Sequence, residues 1–158
     1  LFNDRKYKSW NIKDIQLKEG WLKPEILWLD YYSFTFRCLN KSVDWFEIIT
    51  NNENEKTYWI KNSNVTDFKT WEDYLINMVG IARLPDQLQK IRKLPIKDSE
   101  IIEYIGQDCF SVKSMNGDWI EIYSSDYCEE TDNYKKLKSG WIKWRKGDKL
   151  LIEYYITY

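Results

Sequence analysis

The chain of 158 residues carries 9 Trp, 12 Tyr and 6 Phe but only 6 Gly and 3 Pro. This aromatic content excludes a disordered chain, and the length suits one domain or two small ones. With 24 Lys and Arg against 25 Asp and Glu, the net charge of −1 gives no global field for nucleic acid or anionic lipid. No stretch is long and apolar enough to predict a membrane span.

The chain contains no histidine and three cysteines, Cys38, Cys109 and Cys128. The lack of histidine excludes Ser-His-Asp and Cys-His catalytic arrangements, and three cysteines without a CxxC pair do not close a structural zinc site. We expect buried thiols that act as small hydrophobic groups, with one Cys109–Cys128 bridge as the alternative. Because phosphate-binding and nucleophile motifs are also missing, the sequence predicts no catalytic residue, no metal site and no cofactor.

The N-terminal part of the chain is weakly patterned, and its first predicted element is a strand at residues 20–23. Three aromatic residues, Trp28, Tyr31 and Tyr32, follow this strand. Because the chain begins with Leu1 and not with methionine, we expect the natural N-terminus to lie further upstream, where a leader peptide would stand.

An internal repeat then organises the chain. Residues 36–38 and 44–49 recur as residues 110–112 and 118–123, so the spacing between the two blocks is the same in both copies. Within each block apolar and polar residues alternate with a period of two. This alternation predicts short antiparallel strands in both copies.

A second pair of similar blocks, 58–61 and 140–143, follows at a larger offset, so the preceding loop is longer in the second copy. If the strands of each copy pair in antiparallel fashion, their spacing predicts the register. The predicted cross-strand pairs are Trp45 with Lys61, Glu47 with Trp59, Trp119 with Lys143, and Glu121 with Trp141. Each copy would then carry a Trp–Lys contact on one face, worth roughly 0.5–1 kcal/mol at an exposed site.

Turn residues separate these strands. Asn116-Gly117 predicts a tight hairpin, whereas Ser42-Val43 at the same place in the first copy predicts a different turn. A further turn is predicted at Gly147, followed by a last strand over residues 149–155.

Between the two copies the pattern changes from strand to helix. The apolar stripe consists of Trp71, Tyr74, Leu75, Met78 and Val79. Thr70 is the predicted N-cap and Gly80 the predicted end of this helix, and a second helical stretch is predicted between Pro85 and Pro95. We interpret the stripe as the packing face of a linker helix rather than as a surface for a partner.

The segment from Phe110 to Trp144, with its Gly-Asp-Trp turn, variable loop and Gly-Trp-Ile-Lys-Trp block, resembles a bacterial SH3-like domain. Residues 36–61 carry the same resemblance more faintly, with Tyr58 where Gly140 stands. The linker and the C-terminal strand are also similar to those of uncharacterised Bacteroidetes-type proteins with SH3-like repeats. The resemblance implies a periplasmic or cell-surface protein, such as a lipoprotein, that binds cell-wall peptides or partner proteins.

We therefore predict a mainly β fold, in which two SH3-like small β-barrels pack together and are joined by an α-helical segment. The predicted boundaries are residues 1–64 for the first repeat with its N-terminal extension, 65–97 for the helical linker and 98–158 for the second repeat. The predicted function is a non-catalytic binding module of the bacterial cell envelope that recognises a peptide, a cell-wall fragment or a partner protein. The alternative is a structural or assembly protein with no small ligand.

Candidate ligand-binding residues are sought among the aromatics that the repeat does not explain. The repeated tryptophans recur in both copies, which favours a structural role as cover for the barrels or the seam between them. The remaining candidates are Trp144, Tyr123, Tyr127, Trp28, Tyr31 and Tyr32. A basic run over residues 135–149 is interpreted as a solvated face because an acidic run precedes it, and no nucleic-acid partner is predicted.

Overall fold

The computed structural model of the chain describes residues 22–28, 33–127 and 135–155. The chain divides into two compact units, Leu1–Asp67 and Phe68–Tyr158. In both units strands are the main regular structure of the described residues, which confirms the prediction of a mainly β fold.

The first unit contains a hairpin and a three-stranded antiparallel meander. Its strands are β1 (Ile26–Trp28), β2 (Ser33–Thr35), β3 (Arg37–Lys41), β4 (Trp45–Asn51) and β5 (Lys56–Lys61). The predicted opening strand at residues 20–23 is described only at its end, where Lys23 forms an isolated parallel bridge with Asn51. Phe46 and Ile48 of β4 are buried, whereas the intervening Glu47 lies on the opposite face, as the period of two requires.

The second unit is built around one curled seven-stranded sheet. Its elements are α1 (Trp71–Ile76), β6 (Gly80–Arg83), a 3₁₀ turn (Pro85–Gln87), β7 (Ile91–Arg92), β8 (Ile101–Ile102), β9 (Phe110–Asn116), β10 (Trp119–Ser124), β11 (Gly140–Lys143), β12 (Arg145–Lys146), β13 (Lys149–Leu150) and β14 (Ile152–Tyr155). The strand order in the sheet is β14-β6-β9-β10-β11-β7-β8, and β12 and β13 form a separate hairpin. The hydrophobic core lies on the concave side and includes Phe110, Ile120, Ile142 and Trp144.

The structure confirms the predicted registers in both units. In the first unit Trp45 pairs with Lys61 and Glu47 with Trp59. In the second unit the pairs are Trp119 with Lys143 and Glu121 with Trp141. The repeat in the sequence is therefore also a repeat in strand pairing.

The predicted turns also form. Gly117 adopts a φ of 58° in the tight turn between β9 and β10, a conformation that favours glycine. The corresponding turn of the first unit has the same length but no glycine. The Ser42 amide donates a 2.8 Å hydrogen bond to the Trp45 carbonyl, at the place where Asn116 pairs with Trp119 in the second unit. The predicted last strand is interrupted at Leu151, whose amide donates a 2.8 Å hydrogen bond to the carbonyl of Trp144.

The same backbone contact closes both meanders. The Asn62 amide donates to the Asp44 carbonyl at 2.7 Å, and the Trp144 amide donates to the Asp118 carbonyl at 3.0 Å. The side chains at these positions also act alike. Asn62 Nδ2 lies 3.4 Å from the carbonyl of Val43, and Trp144 Nε1 lies 2.9 Å from that of Gly117. These closing contacts are therefore shared by residues of very different size.

The helix α1 is shorter than predicted, but its packing role is confirmed. Thr70 caps its N-terminus as expected, since the Thr70 hydroxyl accepts a 3.1 Å hydrogen bond from the Asp73 amide. Leu75 is fully buried in the core of the second unit, and the ring of Trp71 lies 5.2 Å from that of Trp144. The helix ends at Ile76, so the expectation that it reaches Gly80 is wrong.

The segment 65–97, predicted as a separate helical linker, contributes strands to the sheet of the second unit. Gly80 opens β6, which pairs with β14 on one side and with β9 on the other. The predicted helical stretch after Pro85 is a single 3₁₀ turn followed by β7, which pairs with β11. A helix-joined pair of barrels is therefore not confirmed, because pairing with distant strands overrides the local helical pattern.

Polar side chains connect this segment to the rest of the second unit. Gln89 Nε2 donates to the carbonyls of Lys143, at 2.7 Å, and Leu151, at 3.0 Å, while its Oε1 accepts from the Lys143 amide at 3.0 Å. Arg83 binds Asp108 through two nitrogens, the shortest distance being 2.6 Å. The Gln89 contacts satisfy backbone groups that the strand ladder leaves open.

Gly140 explains the main sequence difference between the two copies. A Cβ atom at Gly140 would lie 2.3 Å from Cγ2 of Ile91, so only glycine allows β7 to approach β11 this closely. The first unit has Tyr58 at the equivalent position, where Lys56 Nζ lies 5.4 Å from the ring centre.

The three cysteines differ in state. Cys109 is disulfide-bonded, whereas Cys38 is a free thiol. Cys128, the third cysteine, lies outside the described residues. Burial raises the pKa of Cys38, which disfavours its reactive thiolate form.

Candidate functional site

Each meander presents one outer face with a glutamate between two tryptophans. We call these surfaces the first and the second Trp–Glu face. The first Trp–Glu face consists of Trp45, Glu47, Trp59 and Lys61. The second Trp–Glu face consists of Trp119, Glu121, Trp141 and Lys143. Their positions follow from the alternation of β4 and β10, whose other side chains enter the core.

On the first Trp–Glu face, two neutral groups hold the carboxylate of Glu47. Asn40 Nδ2 donates to Oε2 at 2.6 Å, and the Thr57 hydroxyl donates to Oε1 at 3.3 Å. In the described part of the chain, no lysine or arginine forms an ion pair with Glu47. Within the described residues, neutral donors and no counter-ion therefore hold the Glu47 carboxylate.

On the second Trp–Glu face, the carboxylate of Glu121 is held by the same kind of neighbours and by a cation. Hydroxyl groups of Ser139 and Ser114 donate to it at 2.5 and 3.0 Å, and Lys113 Nζ lies 3.0 Å from Oε1. The Ser139 hydrogen bond, together with those of Lys113 and Ser114, lowers the pKa of Glu121 although burial opposes this shift. Glu121 is thus a paired, ionised group.

The neighbours of the two glutamates occupy equivalent positions. Asn40 corresponds to Ser114 at the offset of the first pair of repeated blocks, and Thr57 corresponds to Ser139 at the offset of the second pair. Lys113, the cation that pairs with Glu121, has no lysine at the equivalent position of the first unit. It occupies a β-bulge on β9, between the residues that pair with Glu121 and Ile122, and the same bulge on β3 carries Leu39.

The tryptophans of the two faces also differ in exposure. Trp45 and Trp59 of the first Trp–Glu face are 43% and 49% exposed, whereas Trp119 and Trp141 are partly buried. Lys143 Nζ lies 5.4 Å from the ring centre of Trp119, which gives the predicted Trp–Lys contact in the second unit. The interpretation of the repeated tryptophans as barrel cover therefore does not fit Trp45 and Trp59, because nearly half of each residue is open to solvent.

The structure separates the candidate residues named from the sequence. Trp144 is 2% exposed and belongs to the core of the second unit, so its ring is not available to a ligand and this candidate is corrected. Tyr123 is 37% exposed and follows Glu121 on the outer face of β10, and Tyr127 is 79% exposed. Trp28 ends β1. Tyr31 and Tyr32 lie outside the described residues.

The residues that distinguish the two faces were not recognised in the sequence. Leu39 and Lys113 lie among the five residues between the repeated blocks. A bulge residue adds one position to the strand and shifts the alternation beyond it, so the pattern assigns neither residue to a face. The signal that identifies them is the constant offset of the first pair of repeated blocks, applied to the whole of β3 and β9 rather than to their apolar positions.

Potential metal ligands, helix length and charge pairing were compared for the residues that the structure describes. Those residues contain no group of three or more potential metal ligands. No described helix combines the length and the apolar character that crossing a bilayer requires. Two cations of the basic run over residues 135–149 pair with acids, Lys136 with Asp126 at 3.3 Å and Arg145 with Asp118 at 2.8 Å.

Comparisons with protein-family models, curated proteins and solved structures gave no match to this chain.

Proposed function

We propose that the protein is a non-catalytic binding module of the bacterial cell envelope, which recognises a peptide, a cell-wall fragment or a partner protein through the first Trp–Glu face. One observation supports this proposal most directly. Trp45, two residues before Glu47 on β4, and Trp59, opposite Glu47 on β5, are both about half exposed. Glu47 itself has no cationic partner in the described chain. The envelope location rests on the resemblance of the sequence to bacterial SH3-like domains.

The strand order of the second unit supports an SH3-like fold for the repeat. In the order β14-β6-β9-β10-β11 the last strand pairs with the first, and the three middle strands form a meander. SH3-like barrels have the same order among their five strands, which supports the proposed fold. The β3-β4-β5 meander of the first unit has the registers of β9-β10-β11, including the bulge, so we infer the same fold family for the first unit. The fold alone assigns no ligand.

The chemistry of the first Trp–Glu face suits an extended or ring-shaped ligand. Indole rings offer flat apolar surfaces with one hydrogen-bond donor each, and burial of such a ring contributes strongly to binding. Glu47 adds a fixed acceptor whose orientation is set by Asn40 and Thr57. A ligand that covers the rings and hydrogen-bonds the carboxylate gains both apolar burial and specificity.

The proposal is tested by a ligand screen observed by NMR. Cell-wall peptides, muropeptides and proline-rich peptides are titrated into the protein, and the indole N–H signals of Trp45 and Trp59 are assigned from Trp→Phe variants. We expect at least one ligand to move both signals with saturation. The Trp59→Ala variant should abolish that response. Val43→Ser is the matched control, because Val43 is 87% exposed but lies outside the face.

A response that persists in Trp59→Ala, or silence toward every ligand, would contradict the proposal. Silence combined with self-association would favour the structural or assembly role instead. The exposure of Leu39 (49%), Val43 (87%) and Val65 (86%) in the first unit gives that role a specific basis. Light scattering over a range of protein concentrations distinguishes the two functions.

A further inference from the structure

We propose that the first Trp–Glu face binds the ammonium group of a lysine side chain from a partner polypeptide, with Glu47 as the counter-ion and the two exposed tryptophans as aromatic walls. This inference rests on the proposed function and specifies its ligand.

In the second unit, the equivalent carboxylate of Glu121 already pairs with the ammonium group of a lysine from the chain itself. Lys113 extends from the bulge of β9 and places Nζ 3.0 Å from Oε1 of Glu121. Ser114 and Ser139 donate two further hydrogen bonds to the carboxylate. The repeat therefore forms a site for a primary ammonium, and in the second unit the chain itself fills it.

The first unit keeps the site but lacks this lysine. Asn40 and Thr57 hold Glu47 as Ser114 and Ser139 hold Glu121, yet the bulge residue is Leu39. An ionised carboxylate offers about four lone-pair positions, so two neutral donors leave room for a further donor. Leu39 is 49% exposed and supplies an apolar surface along which the methylene stem of an incoming lysine can lie.

Lys61, the lysine of the first Trp–Glu face, is not placed to act as the counter-ion of Glu47. Lys61 pairs in register with Trp45, which is separate from the Glu47–Trp59 pair. Its counterpart Lys143 extends over the ring of Trp119 at 5.4 Å and not toward Glu121. This contact shows that an indole of this frame does accept an ammonium.

The donors on Glu47 select an ammonium over a guanidinium. Each carboxylate oxygen already accepts one hydrogen bond, Oε2 from Asn40 and Oε1 from Thr57. A guanidinium binds best when both oxygens are free for a two-pronged contact, whereas an ammonium acts as a point charge. Lysine is therefore the expected ligand side chain, and arginine is expected to bind more weakly.

The test uses small probes and the indole N–H signals of Trp45 and Trp59. The charged probe is Nα-acetyl-lysine N-methylamide, and the neutral control is the same molecule acetylated at Nε. We expect the charged probe to move both signals with saturation in the millimolar range, and the neutral probe to bind at least about tenfold more weakly. Equal binding of the two probes would overturn the inference.

Variants exchange the two bulge residues. Leu39→Lys introduces an internal ammonium into the first unit, and we expect it to weaken binding of the charged probe by about tenfold, whereas Leu39→Met should bind as the native chain does. Glu47→Gln should also abolish the preference for the charged probe and remains informative if Leu39→Lys does not fold. A charged probe that binds Leu39→Lys or Glu47→Gln unchanged would refute the inference.

The outcomes separate this inference from the proposed function. If the charged and neutral probes bind alike, or neither binds while a cell-wall or prolyl ligand still moves the two signals, the ammonium inference is wrong and the binding module stands. If no ligand moves them, both are wrong.

Discussion

The two Trp–Glu faces share one backbone frame and differ in how their charge is used. The second face is self-contained, since Lys113 neutralises Glu121 and Lys143 covers Trp119. The first face leaves Glu47 without an ion pair among the described residues and both of its tryptophans about half exposed. The ion pair at the glutamate differs because the same bulge carries Lys113 in the second unit and Leu39 in the first. The two faces therefore share their strand registers but differ in the charge and exposure of their side chains.

A similar contrast exists at the closing contact of each meander. Trp144 and Asn62 both donate a side-chain N–H to a turn carbonyl, at 2.9 and 3.4 Å. Trp144 is buried against Trp71 of the helix, whereas Asn62 is exposed. The contact is thus a core element in the second unit and a surface hydrogen bond in the first.

The largest expected effect tests this second contrast. Trp144→Ala removes a buried ring and its hydrogen bond, so we expect the second unit to lose about 3–5 kcal/mol in its free energy of unfolding. Asn62→Ala should cost the first unit less than about 1 kcal/mol. Urea unfolding followed by amide signals of each unit measures both values. Similar losses in the two units would show that the two contacts are energetically equivalent.

The next effect compares the two glutamates. Glu121→Gln removes a charged acceptor of three hydrogen bonds, and we expect a loss of about 1–2 kcal/mol at pH 7, with a smaller loss for Glu47→Gln. Because folding lowers the pKa of Glu121, its stabilisation is present above the unfolded-state pKa of about 4.3 and disappears as the pH falls through the folded-state value. The gap between native and Glu121→Gln proteins should therefore narrow on acidification. A constant gap from pH 7 to pH 3 would contradict this assignment.

The third variant, Lys113→Leu, should lower the stability of the second unit less and should also create a binding response. Lys113→Leu makes the bulge of the second unit resemble that of the first. Since the Lys113 side chain is largely exposed, we expect a cost of about 0.5–1 kcal/mol. The variant should gain a response to the charged lysine probe at the indole signals of Trp119 and Trp141. Lys113→Arg, which keeps a cation at the site, is the control and should gain no response.

The smallest effect concerns the lysines that pair with tryptophan. Lys143→Met removes the ammonium over Trp119, and we expect a loss of about 0.5 kcal/mol in the second unit. Lys61→Met at the equivalent position should have no measurable effect on the first unit. Thermal unfolding at low and high salt tests whether the Lys143 effect on stability is electrostatic, because the electrostatic part should shrink as salt is added.

The local features of the fold could be predicted from the sequence, and the long-range ones could not. Alternation and turn residues were sufficient for the registers around Trp45 and Trp119 and for the hairpin at Gly117. The strand character of Gly80–Arg83 depends on partners far along the chain in β14, which local propensity does not report. The helical pattern therefore extended past its true end.

The candidate site could be predicted only in part, because the exposure of a side chain also depends on residues far along the chain. The glutamates and tryptophans of both faces were visible as repeated letters, but their exposure depends on what packs around each copy. Trp144 is a binding candidate in the sequence because it lies outside the repeated block, yet it packs in the core of the second unit. Trp45 and Trp59 looked structural because they recur, yet they remain open.

The Gln89 side chain has a consequence for how the second unit folds. Its amide joins backbone groups 54 and 62 residues further along the chain, at Lys143 and Leu151. Contacts between such distant residues form slowly, because the loop entropy is lost before the contact stabilises the chain. We expect the meander of the first unit, whose strands are neighbours in sequence, to form early on the millisecond scale or faster. We expect the second unit to complete its sheet only after β14 has been synthesised. The pairing of β14 with β6 would then be the last step of its folding.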